Sequence, residues 1–290
     1  MSKACAQILA ETGQLRPPVR LKTVLHALGI DHTYDAALAG KEEASLSFSD
    51  GKVRLHISRE RFRSSPARAR FSIAHEIGHL ILIRTLGPGV INAGETDAAV
   101  YNGVEQLCDF AASHLLMPRE QLVAALRERD IGRTGIASLA RLFDVSREAL
   151  FRSIADIVPD GAVILWRRFQ RNAQEPMVWR VWGSYAPTVG GGARPWLPRG
   201  CTLKHLSIEP HIDKLTPDAA SLVRGVELKL QSEPTSHDVV LCKWSLPYRQ
   251  TSMSSFAGSN PSGYASTAET LVAVVGRPDR IDPRLFGIRK

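Results

Sequence analysis

The sequence has few of the features that mark disulfide-bonded, secreted or membrane-spanning proteins. Its 290 residues include four cysteines, at positions 5, 108, 201 and 242, and none of them forms a Cys-x-x-Cys pair. No apolar run approaches the ~20 residues that a helix needs to cross a bilayer, and polar residues interrupt the N-terminal stretch too often for a signal peptide. These absences predict a reduced, cytoplasmic protein with no membrane partner. The chain is long enough to form a stable hydrophobic core without disulfide bonds.

Basic residues outnumber acidic residues in the sequence. Lys and Arg number 37 against 29 Asp and Glu, which gives a formal net charge of +8. Residues 52–70 concentrate this excess, with seven basic side chains and a single acid, Glu60. A solvated basic face and a docking surface for a negatively charged macromolecule are both compatible with such a stretch, and charge alone does not decide between them.

Two short helices and a β-hairpin are predicted in the first 60 residues. The helices span Ala6–Glu11 and Leu21–Leu28. In the hairpin, Asp50 and Gly51 form the turn, and apolar residues alternate with polar ones on either side. This turn places Phe48 opposite Val53, and Leu46 opposite Leu55 in the same register, so that the apolar side chains share one face.

Helical patterns follow over residues 65–86, 105–116, 119–129 and 136–157. Ser65 and Pro66 provide a cap and a first-turn proline for the first of them. The last one breaks at Asp144, and Ser146 is positioned to cap its second half. Residues 136–157 therefore predict a helix-turn-helix.

Beyond residue 160 the composition changes, because all five tryptophans and four strand-like runs lie there. The runs are residues 162–169, 177–182, 239–244 and 270–275, and residues 218–223 have the pattern of a short helix. We therefore expect an α+β protein with three parts. These are a catalytic domain with a small sheet over residues 1–130, a helix-turn-helix segment over 131–159, and a mixed α/β domain over 160–290.

The stretch FSIAHEIGHLIL carries two histidines and a glutamate in the pattern His-Glu-x-x-His. On a helix, His75 and His79 lie one turn apart on the same face, while Glu76 is rotated by about 100° and reaches a water on a shared ion. About one chain in a hundred of this length carries the motif by accident, so it is not decisive alone.

A second pattern, EQLCD, supplies what the first one lacks. Catalytic zinc needs a third protein ligand, and Glu105 is a candidate on a separate helix. Asp109, one turn further on, can accept the second ring hydrogen of a histidine ligand and so orient it. Cys108 lies between them; a thiolate binds zinc well, but a cysteine on a helix is more often a small buried hydrophobe, so it is not assigned to the site.

The stretches RARFSIAHEIGHLIL and EQLCDFAASHLLMP together resemble the ImmA/IrrE family of metallopeptidases, over roughly residues 8–157. The resemblance implies a zincin-like domain in which His75, His79 and Glu105 bind zinc and Glu76 is the catalytic base. Asp109 stands where the family often has Asn, and Ala111 stands where its pattern has Phe. Manganese is an alternative to zinc, since nitrogen and oxygen ligands accept several divalent ions.

The resemblance also implies a substrate and a regulatory domain. Members of the family typically cleave a cognate helix-turn-helix repressor and thereby release genes for stress response or mobile-element transfer. Longer relatives carry a GAF-like sensor domain at the C-terminal end, and the pattern after residue 160 is compatible with one. The alternative hypothesis is a non-proteolytic regulator that binds DNA or a protein, with a structural or sensory metal.

Three secondary assignments stay open at this level. Tyr101, Arg70 and Tyr34 are candidates for stabilising an oxyanion. The strand over residues 53–58 is either an edge that aligns an extended substrate or a covered strand. Basic residues on the helix pair allow direct DNA binding as well as plain packing; they are Arg141, Arg147 and Arg152.

Overall fold

The structure is a computed structural model of the chain. It describes residues 1–35, 38, 43–87, 89, 97–158, 161–170, 174, 178–185, 208–229, 234–244, 265–276, 279, 281–286 and 288. Cys201 and most of the Ser/Gly-rich stretch around residues 251–264 lie outside them. The described residues form two compact units: Met1–Val123 with Ser138–Ser153, and Ala124–Ala137 with the residues from Ile154 onward.

Helices and sheets both contribute, which confirms the mixed α and β character. The helices are α1 (Ser2–Glu11), α2 (Leu21–Ala27), α3 (Arg59–Ser64), α4 (Pro66–Leu86), α5 (Ala98–Leu116), α6 (Arg119–Glu128), α7 (Arg133–Phe143), α8 (Arg147–Ile157) and α9 (Glu209–Ile212). The strands are β1 (Asp31–Asp35), β2 (Ala44–Ser49), β3 (Lys52–Ser58), β4 (Ala162–Gln170), β5 (Val178–Tyr185), β6 (Ala220–Lys229), β7 (Pro234–Trp244) and β8 (Ala265–Gly276). No helix in the described part of the chain combines the length and the apolar character that a bilayer crossing requires.

The first unit contains a three-stranded sheet in the order β1-β3-β2. The hairpin of β2 and β3 has the predicted register, with Phe48 opposite Val53 and Leu46 opposite Leu55. Strand β1 was not predicted; it pairs with β3 in parallel. The suggestion that residues 53–58 form an edge strand is therefore wrong, because β3 is the central strand and β2 is at an edge.

A side-chain network joins the three strands on one face. His56 Nδ1 lies 2.7 Å from Asp35 Oδ2 on β1, and His56 Nε2 lies 2.9 Å from Ser47 Oγ on β2. The hydrogen bond from His56 and a second one from Thr33 hold the pKa of the Asp35 carboxyl below its usual range. On the other face, Leu55 is fully buried.

Helices α4 and α5 form the centre of the first unit. Pro66 takes the first turn of α4 as predicted, but the Ser65 side chain makes no capping hydrogen bond. Helix α5 begins seven residues before the predicted start at Glu105 (105 − 98 = 7), because the Asp97 carboxylate accepts hydrogen bonds from the amides of Ala99 and Val100. The stripe of Ile73, Ile77 and Leu80 on α4 is buried, as its spacing predicts.

The predicted helix pair is present as α7 and α8. Asp144 adopts a left-handed φ of 53° between them, a conformation that Asp tolerates better than most residues. Ser146 caps α8 by accepting a hydrogen bond from the amide of Ala149 at 3.1 Å. The sequence signals at this turn therefore predict the structure correctly.

The second unit contains an antiparallel sheet in the order β5-β4-β8-β7-β6. Both faces of its central strands are buried: Ile164, Leu241 and Ala273 lie on one face, with Val163, Val240 and Val274 on the other. The short helix predicted over 218–223 is wrong. Asp218 has a left-handed φ of 60°, and the chain then enters β6, whose residues pair with β7. The boundaries at residues 130 and 159 and the GAF-like character stay predictions.

Candidate metal centre

Helix α4 presents two imidazole rings at the same site, as the four-residue spacing predicts. The Nε2 atoms of His75 and His79 lie 3.2 Å apart, and the ring centroids 4.9 Å apart. Both side chains are largely buried, with 16% and 18% of their surface exposed. Two nitrogen lone pairs therefore converge on one point from a single helix.

Helix α5 brings a carboxylate to the same point. Glu105 Oε2 lies 3.2 Å from His75 Nε2, and Glu105 Oε1 lies 3.5 Å from His79 Nε2. The structure thus brings together the three side chains that the sequence proposes as ligands, although Glu105 lies 26 residues after His79 (105 − 79) on a separate helix.

The separations among these donor atoms fit a small divalent cation. An ion that binds nitrogen and oxygen at about 2.0–2.1 Å in a tetrahedral arrangement holds its donors about 3.3–3.4 Å apart. The 3.2 Å between the two Nε2 atoms, the 3.2 Å from His75 to Glu105 Oε2 and the 3.5 Å from His79 to Glu105 Oε1 lie around this value, so that one or both carboxylate oxygens are close enough to share an ion with the two imidazoles. Three protein donors also leave a fourth position for water, as a catalytic site requires.

Asp109 contacts the His75 ring through the nitrogen that does not face Glu105. Its Oδ1 lies 2.9 Å from His75 Nδ1, the ring nitrogen that faces away from Glu105. Arg152 on α8, predicted as a candidate phosphate contact, lies 4.0 Å from the other Asp109 oxygen and 3.3 Å from Glu148. A carboxylate in this position fixes the histidine tautomer that leaves Nε2 free for a metal.

The two histidines have opposite electrostatic environments. Burial opposes the charged form of His75, but the hydrogen bond to Asp109 and the negative charges of Asp109, Glu105 and Glu76 outweigh it and raise its pKa. Burial and the neighbouring charge of His75 lower the pKa of His79. The surroundings therefore shift the pKa values of the two imidazoles in opposite directions.

Cys108 is closer to the site than its sequence position suggested. One donor atom from each of His75, His79 and Cys108 lies within 4.8 Å of the other two. Burial and the carboxylates of Glu105, Glu76 and Asp109 raise the pKa of the thiol, so it is neutral in the absence of a cation. The shorter distances favour Glu105 as the third ligand, and Cys108 is the neighbour that the sequence analysis set aside.

Helices α4 and α5 touch at Gly78. A Cβ atom on this residue would lie 3.0 Å from Cys108 Cα and 3.1 Å from Ala111 Cβ. The glycine between the two histidines therefore allows the helices to approach in near backbone contact. The sequence offers Gly78 as a residue that permits a close approach, but the structure alone shows that Cys108 lies opposite it.

The three oxyanion candidates occupy different environments. The Arg70 guanidinium contacts Asp144 at 3.0 Å and donates to the carbonyl of Val19 at 2.9 Å. These contacts give Arg70 a structural role and argue against an oxyanion role, which stays an untested prediction. Tyr34 packs edge-on against Phe62, and Tyr101 is exposed; their roles stay predictions.

A helix with two histidines that crosses a helix with two carboxylates defines a domain built to hold a divalent metal. Residues 32–154 match the family model Peptidase_M78, the IrrE N-terminal-like domain. This match and the related sequence described next support the resemblance to the ImmA/IrrE family of metallopeptidases that the two motifs predicted.

Comparison with individual proteins identifies a related sequence and a structure with a partial likeness. The chain is 31% identical over 188 residues to the radiation response metalloprotease IrrE of Deinococcus radiodurans, an alignment that covers 61% of this chain and 48% of that protein. The chain thus spans about half the length of this relative. A Mycobacterium tuberculosis transcriptional regulator aligns with a TM-score of 0.48 at 13% identity, over 95% of this chain and 75% of that chain, a likeness that does not establish a common fold.

Proposed function

We propose that the chain is a zinc-dependent endopeptidase whose metal ligands are His75, His79 and Glu105. The observation that carries this proposal is the convergence of the two Nε2 atoms, 3.2 Å apart, with the Glu105 carboxylate, whose Oε2 lies 3.2 Å from His75 and whose Oε1 lies 3.5 Å from His79, separations close to those that zinc needs between its donors. The match to a metallopeptidase family supports the same chemistry.

Each residue of the centre has a defined task. A bound zinc ion supplies a Lewis acid that makes water acidic and polarises a peptide carbonyl. Asp109 holds the Nδ1 proton of His75, so that Nε2 stays available as a ligand. Glu76 lies beside the pair, takes the proton from the attacking water and delivers it to the leaving amine. The products are a carboxylate and a new amino terminus.

The proposed substrate is a cognate helix-turn-helix transcriptional repressor in the cytoplasm. Cleavage would relieve repression of stress-response or mobile-element genes. Two features support this choice: members of the family typically act on such repressors, and the Deinococcus relative is named for a radiation response. The basic segment over residues 52–70 suits a partner with negative charge.

The test uses purified full chain, reloaded with zinc, and a repressor encoded beside it. We expect Glu76→Gln to bind zinc like the wild type and to cleave about 10²–10⁴ times more slowly, because only the proton carrier is lost. Glu128→Gln, on an exposed side chain of α6, is the matched control and should cleave normally. Proteolysis at the wild-type rate by Glu76→Gln would refute the assignment. DNA binding without any cleavage by the wild type would favour the non-proteolytic regulator.

A further inference from the structure

The Cys108 thiol lies at the boundary between the core and the proposed metal centre. Its side chain is fully buried and packs with Leu82 and Val104. At the same time its sulfur lies within 4.8 Å of a ring nitrogen on both His75 and His79. An ordinary core cysteine has no reason to face two imidazoles, so we consider the sulfur as a further donor.

The backbone explains why the sulfur is so close. Gly78 brings α4 to within 3.0 Å of Cys108 Cα, measured from the position of a Cβ atom on the glycine. The nearest heavy atoms of α5 to that position belong to the backbone of Cys108 and the small side chain of Ala111. On α5, Cys108 is three residues from Glu105 and follows the same face, so the two side chains approach the histidines from neighbouring positions.

The Cys108 sulfur needs to move only a short distance towards the histidine nitrogens to share a metal ion with them. In a tetrahedral site with a zinc–sulfur bond of about 2.3 Å, the sulfur lies about 3.6 Å from each coordinating nitrogen. The sulfur therefore has to move by about 1 Å from the 4.8 Å limit. Rotation about the Cα–Cβ bond of Cys108, or a small shift of α5, provides such a movement.

We propose that Cys108 is a fourth protein ligand of the metal centre, which competes with water for the position that hydrolysis requires. The proposal rests on the proposed zinc peptidase function. As Cys108 binds, its S–H bond breaks, the proton passes to solvent, and a sulfur lone pair is donated to the cation while the water leaves. The site then has two forms: an open one that hydrolyses peptides and a closed one that stores the metal.

The two forms differ in metal preference. Thiolate is a soft ligand that favours zinc, cadmium and cobalt over manganese, which prefers oxygen donors. Cys108 therefore raises the affinity for zinc but lowers the fraction of zinc-loaded protein that is ready for hydrolysis. Manganese leaves the sulfur unbound, so manganese-loaded protein stays in the open form.

The direct test is cobalt substitution in the full chain. Cobalt bound to thiolate absorbs strongly in the near ultraviolet, whereas cobalt bound by nitrogen and oxygen alone shows only weak visible bands. We expect the strong band in the wild type and its loss in both Cys108→Ala and Cys108→Ser. Cys5→Ala is the matched control, because Cys5 is another buried thiol of the same unit, and its sulfur donates to the carbonyl of Ala111 at 3.9 Å. It should keep the band.

Metal affinity gives a second measurement. Cys108→Ala should bind zinc at least about tenfold more weakly and bind manganese as the wild type does, while its zinc-loaded form cleaves faster. Wild-type protein that binds cobalt with visible bands but no thiolate band would overturn the role of Cys108 and leave the proposed function intact. Failure of the wild type to bind cobalt or zinc at all would overturn both proposals.

Discussion

Arg70 and Asp144 form an ion pair that joins helix α4 to the turn between α7 and α8. The Nε atom of Arg70 lies 3.0 Å from an Asp144 carboxylate oxygen and donates to the Asp144 carbonyl at 3.1 Å. Another guanidinium nitrogen donates to the carbonyl of Val19 at 2.9 Å. One side chain, five residues before His75, therefore holds three separate segments of the first unit together.

Arg70→Ala should destabilise the first unit by about 1–3 kcal/mol, because a largely buried guanidinium leaves two carbonyl acceptors without a donor. Chemical denaturation of the wild type and the variant measures the difference. Arg68→Ala is the control: its partner is Glu43, but its side chain is 69% exposed, so we expect a loss below about 1 kcal/mol. Equal losses in the two variants would contradict an anchoring role for Arg70.

Gly78→Ala should weaken both stability and metal binding. The new methyl group would lie 3.0–3.1 Å from Cys108 and Ala111, so α4 and α5 must separate by a few tenths of an ångström. Overpacking of this kind costs about 1–3 kcal/mol. Thermal unfolding with and without zinc measures both effects.

Gly103→Ala provides the control for this substitution. Gly103 lies within α5, and a Cβ atom there would meet no atom of the described residues within 4 Å. An alanine at such a helical position should raise stability by about 0.4–1 kcal/mol. If Gly78→Ala is as stable as Gly103→Ala, the close approach of the helices does not constrain the site.

Asp109→Asn should reduce zinc affinity by about 10–100-fold at neutral pH, because His75 loses the carboxylate that orients it and makes it a better donor. It should also change the pH dependence. Protons compete with zinc for His75, so the apparent affinity of the wild type falls as the pH drops through the raised pKa of this residue. Without the Asp109 charge the pKa of His75 is lower, and the fall should move to lower pH.

Zinc titrations followed by calorimetry between about pH 5 and pH 8, where histidine changes its charge, give both quantities. Asp97→Asn is a matched control, because Asp97 caps the start of α5, where its carboxylate accepts hydrogen bonds from the amides of Ala99 and Val100. It should leave the pH profile unchanged. A profile for Asp109→Asn that superimposes on the wild type would show that Asp109 does not control the protonation of His75.

Asp238→Ala should unfold the second unit at lower denaturant concentration, with a loss of about 3–5 kcal/mol. Asp238 is 2% exposed, and its carboxylate accepts hydrogen bonds from Arg224 and from the amides of Gly225 and Asp279. All five tryptophans follow residue 160, so tryptophan fluorescence monitors this unit. Asp279→Ala removes an 88% exposed carboxylate and should change stability by less than about 1 kcal/mol.

The sequence predicted elements whose stability is encoded locally. The hairpin register follows from Asp50-Gly51 and the alternation beside it, and the turn at Asp144 follows from its flanking caps. Strand β1 was missed because its parallel partner β3 lies about 20 residues away and the strand itself is polar. Strand β6 was mistaken for a helix, since its pairing with β7 is not visible in a short apolar run.

The candidate site also combines features that local sequence patterns predict with features that depend on tertiary contacts. The spacing of His75, Glu76 and His79 is a property of one helix, and the chain alone predicts it. The approach of Glu105 was inferred from a second motif, whereas the closeness of Cys108 depends on how two helices cross. That crossing is a tertiary contact at Gly78, which no local pattern specifies. The anchoring role of Arg70 depends on tertiary contacts in the same way.

Every donor proposed for the metal centre comes from the interior of α4 or α5, and none from the chain that connects them. All the proposed ligands are therefore contained in two helices that cross at a glycine. Residues 66–86 and 98–116 could be transplanted into a stable host scaffold with any linker that preserves the crossing. The two segments would carry all the proposed metal ligands with them.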